Sequence, residues 1–215
     1  MLYYRHWNAI LATGRRCFGF FVKDHGHPRG RNVLVLPNKA GRAREEREHD
    51  ALRAYRNGCF FGSLGAIAVD KAGAPCMPYD YSEFRFSRIV VRRNDTGKPL
   101  GIEAAVDGAD KTKRPNTQIR FVTDAGVALV ANGKTAFFEF PRDANGAITC
   151  KYVRVEAFAY PDKDNDGESL SAEAVASMNV YEISRLHDRK GTSPVPGVPI
   201  ADMIFSQPIR IRTAP

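Results

Sequence analysis

The chain has 215 residues, of which 43% are hydrophobic, 26% charged and 10% aromatic. This composition is typical of a globular protein and excludes collagen-like, low-complexity and wholly disordered chains. No apolar run approaches the ~20 residues that a membrane helix needs, and residues 1–16 lack the cleavage site of a signal peptide. The four cysteines form no CxxC pair, which excludes a zinc ribbon and indicates reduced thiols in a cytoplasmic protein.

The formal net charge is +8, and it is concentrated near the N-terminus. Residues 1–60 contain 12 Lys and Arg against 5 Asp and Glu, whereas residues 161–215 contain 6 against 8. A positive field of this kind attracts phosphate esters and other anions. A solubilising surface is the alternative interpretation, and the sequence does not decide between the two.

Residues 1–60 are predicted to form a short α/β segment. Tyr4, Trp7 and Leu11 recur at helical spacing ahead of a glycine, which indicates an amphipathic helix. The apolar run that follows lacks alternation, which is typical of a parallel strand buried on both faces. The predicted elements are a helix ending at Gly14, strands over 17–22 and 32–36, and a helix over 44–55 that ends at Asn57 and Gly58.

From about residue 60 the pattern changes to β, which predicts a second domain over 61–215. Turn signals at Asn132-Gly133 and Asn145-Gly146 separate apolar runs at a spacing typical of an antiparallel sandwich. Over 150–160, small apolar residues alternate with larger and charged ones. The predicted strands cover 85–92, 100–106, 118–123, 127–130, 135–140, 150–160 and 204–211. The predicted fold is therefore mainly β, an antiparallel β-sandwich preceded by the short α/β segment.

The first candidate site is the run Asp24-His25-Gly26-His27, directly after the predicted strand 17–22. Ligands commonly bind at the carboxyl end of such strands. Carboxylate and imidazole groups are ligands for zinc, manganese or iron, and such a metal activates water for hydrolysis. The alternative is a polar loop with surface histidines.

The second candidate site is an acidic run that fits the pattern of a calcium-binding loop, D-x-[DN]-x-[DN]-G-x5-E. Carboxylates at the first, third and fifth positions, a backbone carbonyl at the seventh and a bidentate glutamate at the twelfth would surround the ion. The matching residues are Asp162, Asp164, Asp166, Gly167, Glu168 and Glu173. No helix precedes the run and no second loop exists, so we expect a single structural Ca²⁺, or else a surface turn in which Ser171 or Ser169 caps the next helix.

Several segments resemble the C-terminal part of metal-dependent phosphoesterases of the PHP superfamily. The helix 7–16 resembles W-x-x-L-L-x-x-G-x-R, and the strand 18–22 leads into the Asp/His run. Residues 51–63 resemble a helix A-L-R-x-G followed by an aromatic strand. A β-rich tail with Asn132-Gly133, the run 152–157 and a closing Ser206-Gln207-Pro208-Ile209 completes the likeness.

The resemblance implies that the α/β segment corresponds to the end of a PHP barrel and that Asp24, His25 and His27 hold the metal. The family motif is Asp-x-His, whereas here His25 follows Asp24 directly and His27 comes two residues later. The family's His-x-His motif and most of its barrel have no counterpart in this sequence. The resemblance therefore implies a site completed by other groups, for example in a homo-oligomer.

Three functions follow from these patterns. The first is a metal-dependent hydrolase of phosphate esters, a phosphodiesterase or phosphotriesterase, with Asp24, His25 and His27 in catalysis. The second is a non-catalytic, calcium-stabilised β-sandwich module that binds a carbohydrate or a protein. Binding to nucleic acid is the least favoured, because no aromatic-interleaved basic strand is present, and no membrane association is expected.

Overall fold

The computed structural model describes residues 4–21, 30–36, 41, 43–64, 83–164, 167–184 and 201–211. Within these ranges it contains four helices and ten strands. The helices are α1 (Tyr4–Ala12), α2 (Arg44–Asn57), α3 (Ala172–Ser177) and α4 (Val180–Ser184). The strands are β1 (Gly30–Leu34), β2 (Phe60–Leu64), β3 (Arg85–Arg93), β4 (Pro99–Asp107), β5 (Asn116–Thr123), β6 (Gly126–Asn132), β7 (Thr135–Glu139), β8 (Tyr152–Tyr160), β9 (Asp202–Ser206) and β10 (Ile209–Arg210).

The strands form two antiparallel sheets. The large sheet has the order β1-β2-β9-β8-β5-β6, with β10 pairing additionally with β8. The small sheet has the order β3-β4-β7. A shared apolar core contains residues from both sheets, including Ile102 of β4, Phe121 of β5 and Val155 of β8. The prediction of a mainly β, antiparallel sandwich-like protein is confirmed.

Helices cover the other face of the large sheet. Strand β8 is buried along its whole length because its two faces belong to different cores. Val153, Val155, Ala157 and Ala159 face the small sheet, whereas Phe158 and Tyr160 pack with Val175 of α3 and Ile183 of α4. The alternation predicted for 150–160 is confirmed. One set of side chains packs between the two sheets, and the other set packs beneath the helices.

The first sixty residues extend the large sheet. Strand β1 pairs antiparallel with β2, and β2 pairs antiparallel with β9, so the predicted domain boundary at residue 60 falls within one sheet. The parallel strand predicted over 17–22 is wrong for its described part, since residues 17–21 form no strand. Side-chain amides, described below, bond to this backbone in place of a neighbouring strand.

A glycine ends helix α2, and a proline interrupts the last predicted strand. Helix α2 ends as predicted at Gly58, whose left-handed conformation (φ 72°) directs its N–H to the carbonyls of Ala54 and Tyr55. The predicted closing strand 204–211 is divided into β9 and β10. The interruption includes Pro208, which has no N–H to donate to a sheet. No described helix is long and apolar enough to cross a membrane.

Candidate functional site

The predicted metal ligands Asp24, His25 and His27 lie in the segment 22–29, outside the described residues. The residues that flank this segment are described, and they establish how it is attached to the fold.

One side-chain amide joins the described residues on either side of this segment. The backbone N–H of Phe21 donates to Oδ1 of Asn32 (3.0 Å), and Nδ2 of Asn32 donates to the carbonyl oxygen of Phe21 (3.1 Å). A Cβ atom on Gly30 would lie 3.3 Å from Cβ of Phe21, so the backbone at Gly30 lies next to Phe21. We call this junction the Asn32 clamp.

Phe21 is itself fixed against the large sheet. Its ring stacks on Phe205 of β9 at a centroid distance of 5.1 Å. It also lies over Gly62 of β2, where a Cβ atom would overlap the ring carbons. Two residues earlier, Gly19 donates to and accepts from the side-chain amide of Gln207 (2.9 and 2.8 Å). These contacts position the Asn32 clamp on the helical face of the sheet.

The start of β1 and the end of β8 lie at the same end of the large sheet. The pairings at this end are Gly30 with Leu64, Leu64 with Met203, Asp202 with Ala159, and Tyr160 with Asn116. We call it the loop end. The segment 22–29 precedes β1 there, and the acidic run follows β8. Strands β1 and β8 are three positions apart in the sheet, or about 14 Å at ordinary strand spacing.

The acidic run forms a narrow turn. The N–H of Asp164 donates to the carbonyl of Glu168 (2.9 Å), and the N–H of Leu170 donates to the carbonyl of Asp162 (2.8 Å). Oδ1 of Asp164 accepts from the N–H of Glu168 (2.9 Å). Gly167 has a φ of 80°, so it provides the sharp bend that the pattern assigns to it.

The calcium donors are only partly assembled. Asp164 is 6% exposed, and Oδ1 of Asp162 accepts from Nδ2 of Asn116 (2.8 Å). Glu173 is exposed in the first turn of α3, and Asp166 lies outside the described residues. In the part of the chain that the structure describes, no three His, Cys, Asp or Glu side chains form a group able to hold a metal. Calcium binding stays a prediction.

The alternative role of Ser171 is confirmed. Oγ of Ser171 accepts from the N–H of Ala174 (3.1 Å), and Ser171 is the N-cap of α3. The cap satisfies one N–H of the first helical turn. The acidic turn is thus joined directly to a capped helix whether or not it binds an ion.

Comparison of the chain with family models, curated proteins and solved structures gave no match. The relationship to the PHP superfamily therefore remains a prediction from motifs.

An ion pair at the loop end was missed by the sequence analysis. Nη1 of Arg114 lies 3.3 Å from Oδ2 of Asp202, and both side chains are largely buried. Burial removes water that would otherwise weaken the attraction. Asp202 is the first residue of β9, so the pair lies at the loop end between strands β2 and β8.

A buried ion cluster beneath α1 was also missed. It consists of Tyr4, Arg120, Arg154 and Glu156. Nη2 of Arg154 lies 2.9 Å from Oε1 of Glu156 and donates to Oδ1 of Asn8 (2.8 Å). The hydroxyl of Tyr4 donates to the same carboxylate oxygen of Glu156.

Aromatic rings and carbonyls enclose these charges. The guanidinium of Arg154 lies 4.7 Å from the ring of Tyr4 and 4.3 Å from that of Trp7. Arg120 donates to the carbonyls of Met178 (2.6 Å) and Val175 (2.5 Å). Such contacts stabilise a guanidinium that has lost its water.

The surroundings shift the ionisation of this cluster. Burial, and then the negative charge of Glu156, raises the pKa of Tyr4 well above its ordinary value. Burial lowers the pKa of Arg120, which the charge of Glu156 opposes. The sequence did carry a signal, because alternation placed Arg154 and Glu156 on the face shared with Phe158, where buried charges need partners.

Proposed function

We propose that this chain is a metal-dependent hydrolase of phosphate esters, related to the PHP superfamily, in which Asp24, His25 and His27 hold the metal. The observation that carries the proposal is the Asn32 clamp. It fixes both ends of the segment that bears the Asp/His run, and it does so at the end of the large sheet from which other loops emerge. A short segment closed at its base loses less conformational entropy on binding an ion than an open one.

The donor set fits a divalent transition metal. One carboxylate and two imidazoles are suitable ligands for Zn, Mn or Fe. When bound, such a metal lowers the pKa of coordinated water to about 7 and supplies hydroxide for attack on phosphorus. Three protein ligands leave positions for solvent and substrate, or for a group from a second copy in a homo-oligomer.

The substrate in this proposal is a small phosphodiester or phosphotriester. Arg31 follows the segment 22–29 on β1, and residues 1–60 carry an excess of seven positive charges. Positive charge at the base of the segment attracts anionic esters and stabilises the negative charge that develops on phosphoryl oxygens. The described cysteines Cys17, Cys59 and Cys150 are free thiols, which supports the further proposal of a cytoplasmic location.

Hydrolysis of bis-(p-nitrophenyl) phosphate tests this function. We expect turnover that chelation abolishes and that added Zn²⁺ or Mn²⁺ restores. His25→Ala and His27→Ala remove imidazole ligands and should each eliminate it, whereas His49→Ala, on the exposed surface of α2, should retain it. Hydrolysis that survives both chelation and the two ligand variants would contradict the proposal.

The acidic turn favours a second candidate, a non-catalytic β-sandwich module stabilised by calcium that binds a carbohydrate or a protein. Gly167 has the left-handed backbone that the calcium pattern needs, and Asp164 is buried beside it. The outer face of the small sheet offers an exposed ring, Phe137, which lies against Gly101 and is 45% exposed. Aromatic side chains on open sheet faces provide contact area for such ligands. Calcium-dependent stability without hydrolysis would favour this candidate.

A further inference from the structure

A groove lies at the end of the large sheet opposite the loop end. It has a volume of about 180 Å³ and is bounded by the C-terminal end of α1, the residues that lead into β8, and β10. Its lining includes three cationic residues, Arg15, Lys151 and Arg210. We call it the basic groove.

Two of the three cations are held in place by the end of α1. Nζ of Lys151 donates to the carbonyl of Ala12 (2.8 Å), and Nη2 of Arg210 donates to the carbonyl of Gly14 (3.0 Å). These bonds satisfy carbonyls at the helix end. An ammonium group has three N–H donors and a guanidinium has five, so each cation keeps donors for a ligand.

The charge of the basic groove is not balanced within its lining. Arg15 is exposed and makes no hydrogen bond or ion pair with the described residues. Among those residues, no aspartate or glutamate lines the groove. Asp124 lies beside the lining, where its Oδ1 accepts from the backbone N–H of Lys151 (2.9 Å). One carboxylate beside three cations leaves the groove with a net positive charge.

Apart from Thr149, the remaining lining is mainly apolar. Leu11, Ile148, Ile211 and the ring of Tyr152 form the wall of the groove beside the cations. This combination fits a ligand with an anionic head and a small apolar body. The volume is below the range of about 300–1,000 Å³ usual for drug-sized ligands, so the groove takes a small molecule or one end of a larger one.

We propose that the basic groove is a non-catalytic binding site for a small phosphate monoester with an apolar or aromatic group. Three cations match the charge of a phosphate monoester, which approaches −2 at neutral pH. Arg15 and Arg210 can each bond two phosphoryl oxygens, and Lys151 adds a point charge. The proposal stands apart from the proposed hydrolase, because the groove contains none of the Asp/His residues and lies at the opposite end of the sheet.

Binding of phenyl phosphate, measured by calorimetry with the full chain, tests the proposal. We expect saturable binding that weakens with added salt and strengthens as the pH rises through about 6, where the monoester gains its second charge. Phenol, which lacks the phosphate, should not bind. Chemical shift changes in an NMR titration should be centred on residues 149–152 and 210–211.

A charge reversal identifies the site. Arg15→Glu should weaken binding at least about tenfold while leaving the melting temperature unchanged, because Arg15 makes no contact that the fold needs. Arg53→Glu on α2 changes the net charge equally at an exposed residue that does not line the groove, so it should bind as the parent does. Lys151→Met provides a second variant within the groove.

Three results would overturn the proposal. They are an absence of binding at millimolar phenyl phosphate, equal binding of phenol, and equal weakening by Arg15→Glu and Arg53→Glu, which would indicate attraction by net charge alone. Hydrolysis plays no part in this readout. Loss of binding here and loss of metal-dependent turnover at Asp24, His25 and His27 are therefore distinguishable.

Discussion

Arg154 and Glu156 are adjacent residues on one face of β8, and their side chains form an ion pair of 2.9 Å that is fully buried beneath α1. Tyr4 and Asn8 of α1 bond to the same two side chains. The pair therefore connects the first helix of the chain to a central strand of the large sheet.

Removal of one partner of this pair should be strongly destabilising. Glu156→Ala leaves Arg154 buried without its counter-charge, and we expect the free energy of unfolding to fall by about 3–5 kcal/mol. The double variant Arg154→Met/Glu156→Leu removes both charges and should lose less than Glu156→Ala alone. Urea denaturation measures both. A Glu156→Ala protein as stable as the parent would contradict the buried pairing.

Gly62 should resist even the smallest substitution. A Cβ atom there overlaps the ring of Phe21, so Gly62→Ala should cost about 1–3 kcal/mol of unfolding free energy through overpacking. In a Phe21→Ala background the ring is absent, and the same substitution should cost much less. A double-mutant cycle measures this coupling. Equal costs in the two backgrounds would mean that Phe21 does not lie on Gly62.

Calcium should stabilise the chain if the acidic turn binds it. At a free concentration 100-fold above the dissociation constant, the gain in unfolding free energy is about 2.7 kcal/mol, which a thermal melt detects. Asp164→Ala should remove the calcium response. Asp143→Ala is the matched control, because Asp143 also accepts a backbone N–H four residues ahead in a turn. A response that persists in Asp164→Ala would place the ion elsewhere.

Cys150 should react slowly with alkylating reagents in the folded protein. Burial, and then the charge of Asp124, raises the pKa of the Cys150 thiol, so the reactive thiolate forms only at a pH above the ordinary range. As the pH rises, the Cys150 thiol ionises in the unfolded chain before it ionises in the folded protein. The contribution of Cys150 to the free energy of unfolding therefore declines as the pH rises through its folded pKa. Mass-spectrometric mapping should find Cys59, which is exposed, alkylated before Cys150. The reverse order would contradict the burial.

The sequence predicted most of the sheet structure because its signals are local. Alternation along β8 identified which side chains face each core, and Gly58 and Gly167 marked a helix end and a turn through positive φ values. The strand predicted over the segment 17–21 was wrong. Its lack of alternation indicated two buried faces, but the backbone bonds to Gln207 and Asn32 instead of a strand. Partners 11 and 188 residues away leave no local pattern.

The candidate sites were predictable to different degrees. Motif spacing predicted a sharp bend at Gly167, and its φ of 80° confirms that bend. It could not reveal that the start of β1 and the end of β8 lie together at the loop end, because this depends on the position of β9 between β2 and β8. The basic groove depends likewise on Arg15, Lys151 and Arg210 meeting from distant parts of the chain. Only the tertiary structure brings such residues together.

We propose that the segment closed by the Asn32 clamp binds a divalent transition metal. Calorimetric titration of the metal-free chain with Zn²⁺ tests it most directly, with His49→Ala as the control for loss of a surface histidine. We predict about one strongly bound ion per chain for the parent and for His49→Ala, as expected for one three-ligand site, and loss of that binding in His25→Ala and His27→Ala. Undiminished zinc binding in both of these variants, or no binding by the parent, would contradict the claim.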